Sequence, residues 1–155
     1  MTAVALARLG APADEEEALA RSLPAWDPFP EVPAALEEAR ARGWKLAVLS
    51  NTDRDLLDAS LERIGVGFEL TIAASEIGSY KPARGHWDEF FARSGADPEH
   101  HVHVGASLYH DIAPATALGL RTIWIDRLGE EADPQPDVEL HSLAGLADSL
   151  DLLVP

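Results

Sequence analysis

From Glu31 onward, apolar residues recur at helical and then strand spacings, one after the other. Val32, Ala35, Leu36 and Ala39 share one face of a helix, and Gly43 follows as a C-terminal stop. Lys45–Leu49 then reads as a short apolar strand. Leu56, Leu57, Leu61 and Ile64 stripe a second helix closed by Gly65 and Gly67, and Leu70–Ala74 reads as a second strand. Trp87, Phe90 and Phe91 mark a helix after Pro82 that ends near Gly95; His101–Val104 is the third strand. Ile112, Ala115 and Leu118 predict another helix, stopped at Gly119, and Arg121–Ile125 is the fourth strand. Glu130–Pro136 is a polar loop with two prolines, after which Ser142 caps a final helix bearing Leu143, Leu146, Leu150 and Leu153. Helices alternating with short apolar strands predict an α/β fold, a parallel sheet covered on both faces.

Ahead of this alternation, residues 1–23 read as helical, in two segments broken at Gly10-Ala11-Pro12. Asp14, Glu15, Glu16 and Glu17 open the second segment, where the helix dipole favours negative charge. Pro24, Pro28 and Pro30 remove donors and fix φ, so Pro24–Pro30 reads as a boundary. The chain divides accordingly into a helical piece, 1–25, and an α/β core, 26–155.

Composition narrows the partners. The 155 residues suit one domain, and 46% hydrophobic content is enough for a core. Twelve basic against 27 acidic side chains give a net charge of −15, which argues against a nucleic-acid backbone or an anionic membrane as partner. There are no cysteines, so disulfides and thiolate metal sites are excluded; this fits a reducing cytoplasm. No apolar run approaches the roughly 18 residues of a membrane span, and no signal-peptide pattern opens the sequence.

Chemistry-bearing residues fall at strand ends, where ligands collect in open α/β sheets. Ser50 and Asn51 follow the first strand; their side chains and the free N–H groups of the next helix start could hold a phosphate or carboxylate oxygen, although both are also ordinary capping residues. Lys81, one of two lysines, lies in the loop Gly78–Pro82 and offers a compact charge to an anion or a carboxylate. Ser107 lies in the loop after the third strand, and Asp111 in the first turn of the helix beyond it. Asp111 could bind Mg²⁺, hold Lys81 by a charge-assisted hydrogen bond, or simply complement a helix dipole. His101 and His103 share a strand face, a spacing that a metal can use, but no third ligand is visible beside them.

Taken in order, these stretches resemble the haloacid dehalogenase superfamily over about residues 26–150. Leu49-Ser50-Asn51-Thr52-Asp53 is similar to its second motif and Gly78–Pro82 to its third. Val104-Gly105-Ala106-Ser107 through Asp111, on to Gly119-Leu120-Arg121-Thr122, is similar to its fourth. The resemblance implies a Rossmann-like core and an N-terminal helical remnant of a cap. It also implies hydrolysis of a small anionic substrate, a phosphate ester or 2-haloacid, through an aspartyl intermediate. Ser50, Asn51 and Ser107 would bind substrate, and Lys81 and Asp111 would be catalytic, Asp111 also a candidate metal ligand.

Ala106 stands where phosphatase members carry an acidic Mg²⁺ ligand, which argues against that metal. No strand before Lys45 ends in the family's nucleophile motif, so a sheet without its central first strand is expected. The chain then reads as the C-terminal portion of such a hydrolase, inactive by itself. The alternative is a non-catalytic anion-binding or interaction protein, its sheet completed by strand exchange in a homodimer.

Overall fold

The computed structural model describes residues 18–155; the predicted helical segments before Ala18 lie outside them. In chain order the elements are α1 (Ala18–Ser22), α2 (Val32–Ala41), β1 (Ala47–Ser50), α3 (Arg54–Ile64), β2 (Leu70–Ala73), α4 (Ala74–Ile77) and α5 (Gly85–Ser94). There follow β3 (Val102–Gly105), a π-helical turn (Leu108–Ile112) that runs into α6 (Ala113–Ala117), β4 (Arg121–Ile125), β5 (Val138–Leu140) and α7 (Leu146–Leu153). The predicted alternation is present throughout. Helices α3 and α5 stop where Gly65 and Gly95 turn left-handed, at φ of 69° and 62°, and each glycine N–H bonds back into the last turn.

All strand pairs are parallel, yet they make two sheets rather than one. β1 pairs with β2 from Ala47↔Leu70 to Ser50↔Ala73. β4 is central in the other sheet, flanked by β3 from Val102↔Arg121 and by β5 from Ile123↔Val138. β1 and β3 do not hydrogen-bond to each other, so each keeps one unpaired edge among the described residues. The expected sheet is therefore parted between the second-motif strand and the fourth-motif strand.

Alternation along β3 and β4 builds a layer on each face. Ile123 and Ile125 are buried with Ala39 of α2 and Leu146, Ala147 and Leu150 of α7, and Val102 and Val104 pack against them. On the other face Trp87 of α5 is buried with Ala115 of α6 and Leu120, joined by Leu49 of β1 and Phe91. Each buried Leu, Ile or Trp on these faces contributes roughly 1.5–3 kcal/mol. Because α5 also packs on β1 and β2, it lies across both sheets and ties them from one side.

Two expectations at the C-terminal end are corrected. β5 was hidden by its length: Val138-Glu139-Leu140 gives three alternating residues beside a proline-rich loop, too few to read as a strand. Its place is set by Asp137, whose carboxylate accepts the Thr122 N–H at 2.7 Å. The last helix starts at Leu146 after a left-handed Gly145, and Ser142 instead accepts the Ala144 N–H within the preceding turn.

Candidate anion-handling site

The end of β1 is organised by short polar contacts. Ser50 Oγ lies 2.7 Å from Thr52 Oγ1 and accepts the Thr52 N–H at 3.3 Å, a tight turn leading to α3. Between them, the Asn51 amide is spent on the main chain of Lys81: its Oδ1 accepts the Lys81 N–H at 2.7 Å and its Nδ2 donates to the Lys81 carbonyl at 2.9 Å. Asn51 thus reaches the site as the clasp of the lysine loop. The chain's one Asp-x-Asp spacing, Asp53-Arg54-Asp55, comes just after this turn. Both carboxylates are exposed at the start of α3, where they suit the helix dipole.

From that clasped loop the Lys81 ammonium reaches Asp111 Oδ1 at 2.6 Å, with both side chains nearly buried (11% and 12% exposed). The second carboxylate oxygen accepts the Ser107 N–H at 3.2 Å. Asp111 can fold back this far because β3 ends in Gly105; a Cβ there would lie 2.7 Å from the Asp111 carboxyl carbon. Burial alone would raise the Asp111 pKa, but His103 and the Lys81 ammonium outweigh it and hold the carboxyl well below the usual carboxylate range. The pair is therefore ionised, and it joins the loop after β2 to the turn after β3 across the parting of the sheets.

Beneath the loops, His86 of α5 is fully buried and its Nε2–H donates to the Ser50 carbonyl at 2.9 Å. Burial lowers its pKa, so the ring is neutral and Nδ1 carries a lone pair with no partner. Ser107 Oγ accepts the His110 N–H at 3.1 Å and lies 3.0 Å from His110 Nδ1, capping the π-helical turn. These contacts bring Ser50, Asn51, Lys81, Ser107 and Asp111 into one connected network at the carboxyl ends of β1 and β3. Of the residues beneath the site, the sequence marks Trp87 only as a helix position and His103 only as half of a strand-face pair, and His86 leaves no mark at all.

Among the described residues, the donor set of this network does not fit Mg²⁺. Asp111 is the carboxylate of this network and is committed to Lys81 and Ser107, while Ala106 presents a methyl group and its carbonyl accepts the Trp124 indole N–H at 3.2 Å. His101 and His103 are held by other contacts: His101 packs on Phe90 and Phe91, and His103 Nδ1 accepts the Trp87 indole N–H at 3.3 Å. Asp126, Glu139 and His141 do come within metal-binding range of one another. There the Asp126 carboxylate accepts the N–H groups of Leu128, Gly129 and Glu130, and His141 Nδ1–H donates to its carbonyl, which makes the cluster a clasp for the loop after β4.

Residues 3–119 match the family of haloacid dehalogenase-like hydrolases. The chain is 32% identical over 126 residues to an (S)-2-haloacid dehalogenase from Pseudomonas sp. strain YL, covering 78% of this chain and 54% of that protein. It is 34% identical over 119 residues to a phosphoserine phosphatase from Thermus thermophilus, covering 74% and 48%. Its fold is similar to that of a HAD phosphatase from Thermococcus onnurineus, with a TM-score of 0.77 and 25% identity over 94% of this chain and 68% of that one. The chain spans about half the length of the curated relatives it matches.

Proposed function

We propose a function from an established premise: the chain belongs to the haloacid dehalogenase-like hydrolase family. In this reading it carries the anion-anchoring half of a hydrolase site for a small anionic substrate, a phosphate ester or a 2-haloacid. The names of its relatives, a phosphatase and a dehalogenase, support that pair of substrate classes. The observation that carries the reading is the buried Lys81–Asp111 pair, held at the strand ends on both sides of the parted sheet. An ammonium so placed is at hand to neutralise an incoming anion. Ser50 and the N–H groups opening α3 take its oxygens, and Asn51 and Asp111 hold the lysine in place.

The nucleophile is a carboxylate carried on a strand that enters between β1 and β3, from a segment outside the described residues or from a second chain. It attacks phosphorus to form an acyl phosphate with loss of the protonated alcohol, or the halogen-bearing carbon to form an aspartyl ester with loss of halide, and water then hydrolyses either intermediate to regenerate the carboxylate. The parted sheet supports the entry of such a strand, because β1 and β3 each leave one edge without a strand partner among the described residues.

The test is to titrate the purified chain with inorganic phosphate and, separately, with 2-chloropropionate, following backbone amides of Ser50–Thr52 and Lys81. Binding of either anion that disappears in Lys81→Met is expected. Hydrolysis of p-nitrophenyl phosphate or release of chloride should appear only when a strand bearing an aspartate completes the sheet. Turnover by the chain alone, undiminished in Lys81→Met, would place the chemistry elsewhere.

A further inference from the structure

His103, in the middle of β3, is buried and faces α5 rather than the α2–α7 layer. The Trp87 indole N–H points at its Nδ1 at 3.3 Å, and the two rings are 5.1 Å apart. An indole nitrogen only donates, so Nδ1 must be the lone-pair nitrogen of a neutral ring and Nε2 must carry the hydrogen. That Nε2–H has no hydrogen-bond partner, although it is buried. It lies 3.7 Å from Asp111 Oδ1, the oxygen that already receives the Lys81 ammonium. The separation is too long for a hydrogen bond but short enough to become one with a small shift.

A buried donor without a partner costs free energy, so its position calls for a use. We propose that His103 is a positioning residue for Lys81, its Nε2–H held ready by Trp87 to hydrogen-bond Asp111 when the lysine turns toward the substrate anion. The inference rests on the site reading above and adds a role for Trp87 and His103 within it. Without such a second donor, a lysine leaving Asp111 would strand a buried carboxylate, and the ion pair would hold Lys81 away from its ligand. With it, Asp111 exchanges one partner for another while Ser107 N–H keeps the second oxygen. No proton changes hands. The ring stays neutral and the carboxylate ionised, and only the hydrogen bonds are redistributed.

The experiment uses the whole chain and inorganic phosphate. Long-range ¹H–¹⁵N spectra of the free protein should show His103 as the Nε2–H tautomer, and on saturation with phosphate its Nε2 proton should move downfield as the bond to Asp111 forms. His103→Phe keeps an aromatic ring against Trp87 and should weaken phosphate binding about tenfold, the effect of one hydrogen bond to a charged group. His103→Gln, whose amide can still donate, should recover much of that loss. Melting curves of both variants report the fold independently.

An Nδ1–H tautomer in the free protein overturns the proposal before any ligand is added. Phosphate affinity unchanged in His103→Phe, with binding still lost in Lys81→Met, overturns it while leaving the anion site standing. Should the wild-type chain fail to bind phosphate at all, the site reading falls and the role of His103 falls with it.

Discussion

The two sheets of this molecule are built to different standards. The β3–β4–β5 sheet is covered on one face by α2 and α7 and on the other by α5 and α6, with Ile123 and Trp124 fully buried between them. The β1–β2 sheet has two strands, and a two-stranded element is marginal without external support. That support reaches it mainly through α5 and through the loops at its carboxyl end: Trp87 and His86 from below, Asn51, Lys81 and Asp111 above. The stable sheet supplies a frame, and in the proposed reading the weaker one carries half of the anion site. The Lys81–Asp111 pair thus sits on the seam between a well-covered part and a dependent part.

The largest expected effects come from cutting the ties between the sheets. Trp87→Ala removes a fully buried indole and the hydrogen bond to His103, and should cost about 3–5 kcal/mol. Asp111→Ala leaves the Lys81 ammonium nearly buried without its partner, and about 3–5 kcal/mol is expected here too. In both variants, native-state hydrogen exchange should show amides of Ala47–Ser50 and Leu70–Ala73 opening well before those of Val102–Gly105 and Arg121–Ile125. Equal opening free energies in both sheets would mean that the molecule is one cooperative unit, and the contrast drawn above would be lost.

Next in size is a pH effect on the same seam. His101, just before β3, is packed against Phe90 and Phe91 of α5, and burial, with His103 nearby, pushes its pKa down to about 4. The folded value is depressed, so above about pH 6.5 the ring is neutral in both states and contributes no pH dependence. As pH falls below that, the unfolded chain takes up the proton first and the folded state loses stability, by about 3 kcal/mol by pH 4. Denaturant unfolding of wild type against His101→Gln over this range isolates the effect, and the variant should lack that part of the slope. Parallel slopes would show that α5 does not seal this ring from water.

A smaller change is expected from Gly105→Ala. The added methyl meets the Asp111 carboxyl group, so the carboxylate must swing away from Lys81; about 1–3 kcal/mol of stability is expected to go with it. Phosphate affinity should fall together with stability. Retained affinity would show that Lys81 does not need Asp111 in this place.

How much of this was legible beforehand follows from the kind of signal each feature leaves. Helices α2, α3 and α5 carry periodic apolar faces and glycine stops, so their positions could be read closely. Strand β4, Arg121–Ile125, has the apolar run Ile123–Ile125 and lies between Gly119 and Asp126, so its bounds are legible to the residue. β1 lies slightly later than its apolar run suggests, because Ser50 pairs with Ala73 despite being polar. The link between Lys81 and Asp111 could be read only as one option among several, since a first-turn aspartate looks the same whether it caps a helix or grips a lysine. Asn51 shows the limit most clearly. Its residue type fits substrate binding, but in the folded chain both ends of its amide are spent on the Lys81 backbone. Long-range uses of a side chain leave no periodicity to read.

The smallest effect is the most discriminating. If the ion pair between the sheets serves the site rather than the fold, replacing both partners by apolar side chains of similar volume should be nearly neutral. A buried pair recovers little beyond its own desolvation, whereas removing a single partner does not allow that compensation. Lys81→Met combined with Asp111→Leu is therefore expected to stay within about 1 kcal/mol of wild type in denaturant unfolding, far from the loss in Asp111→Ala alone. The same double variant should bind no phosphate, because the ammonium that neutralises it is gone. A double variant as unstable as the single one would assign the pair to holding β1–β2 onto the larger sheet, and the seam would then be structural first and functional second.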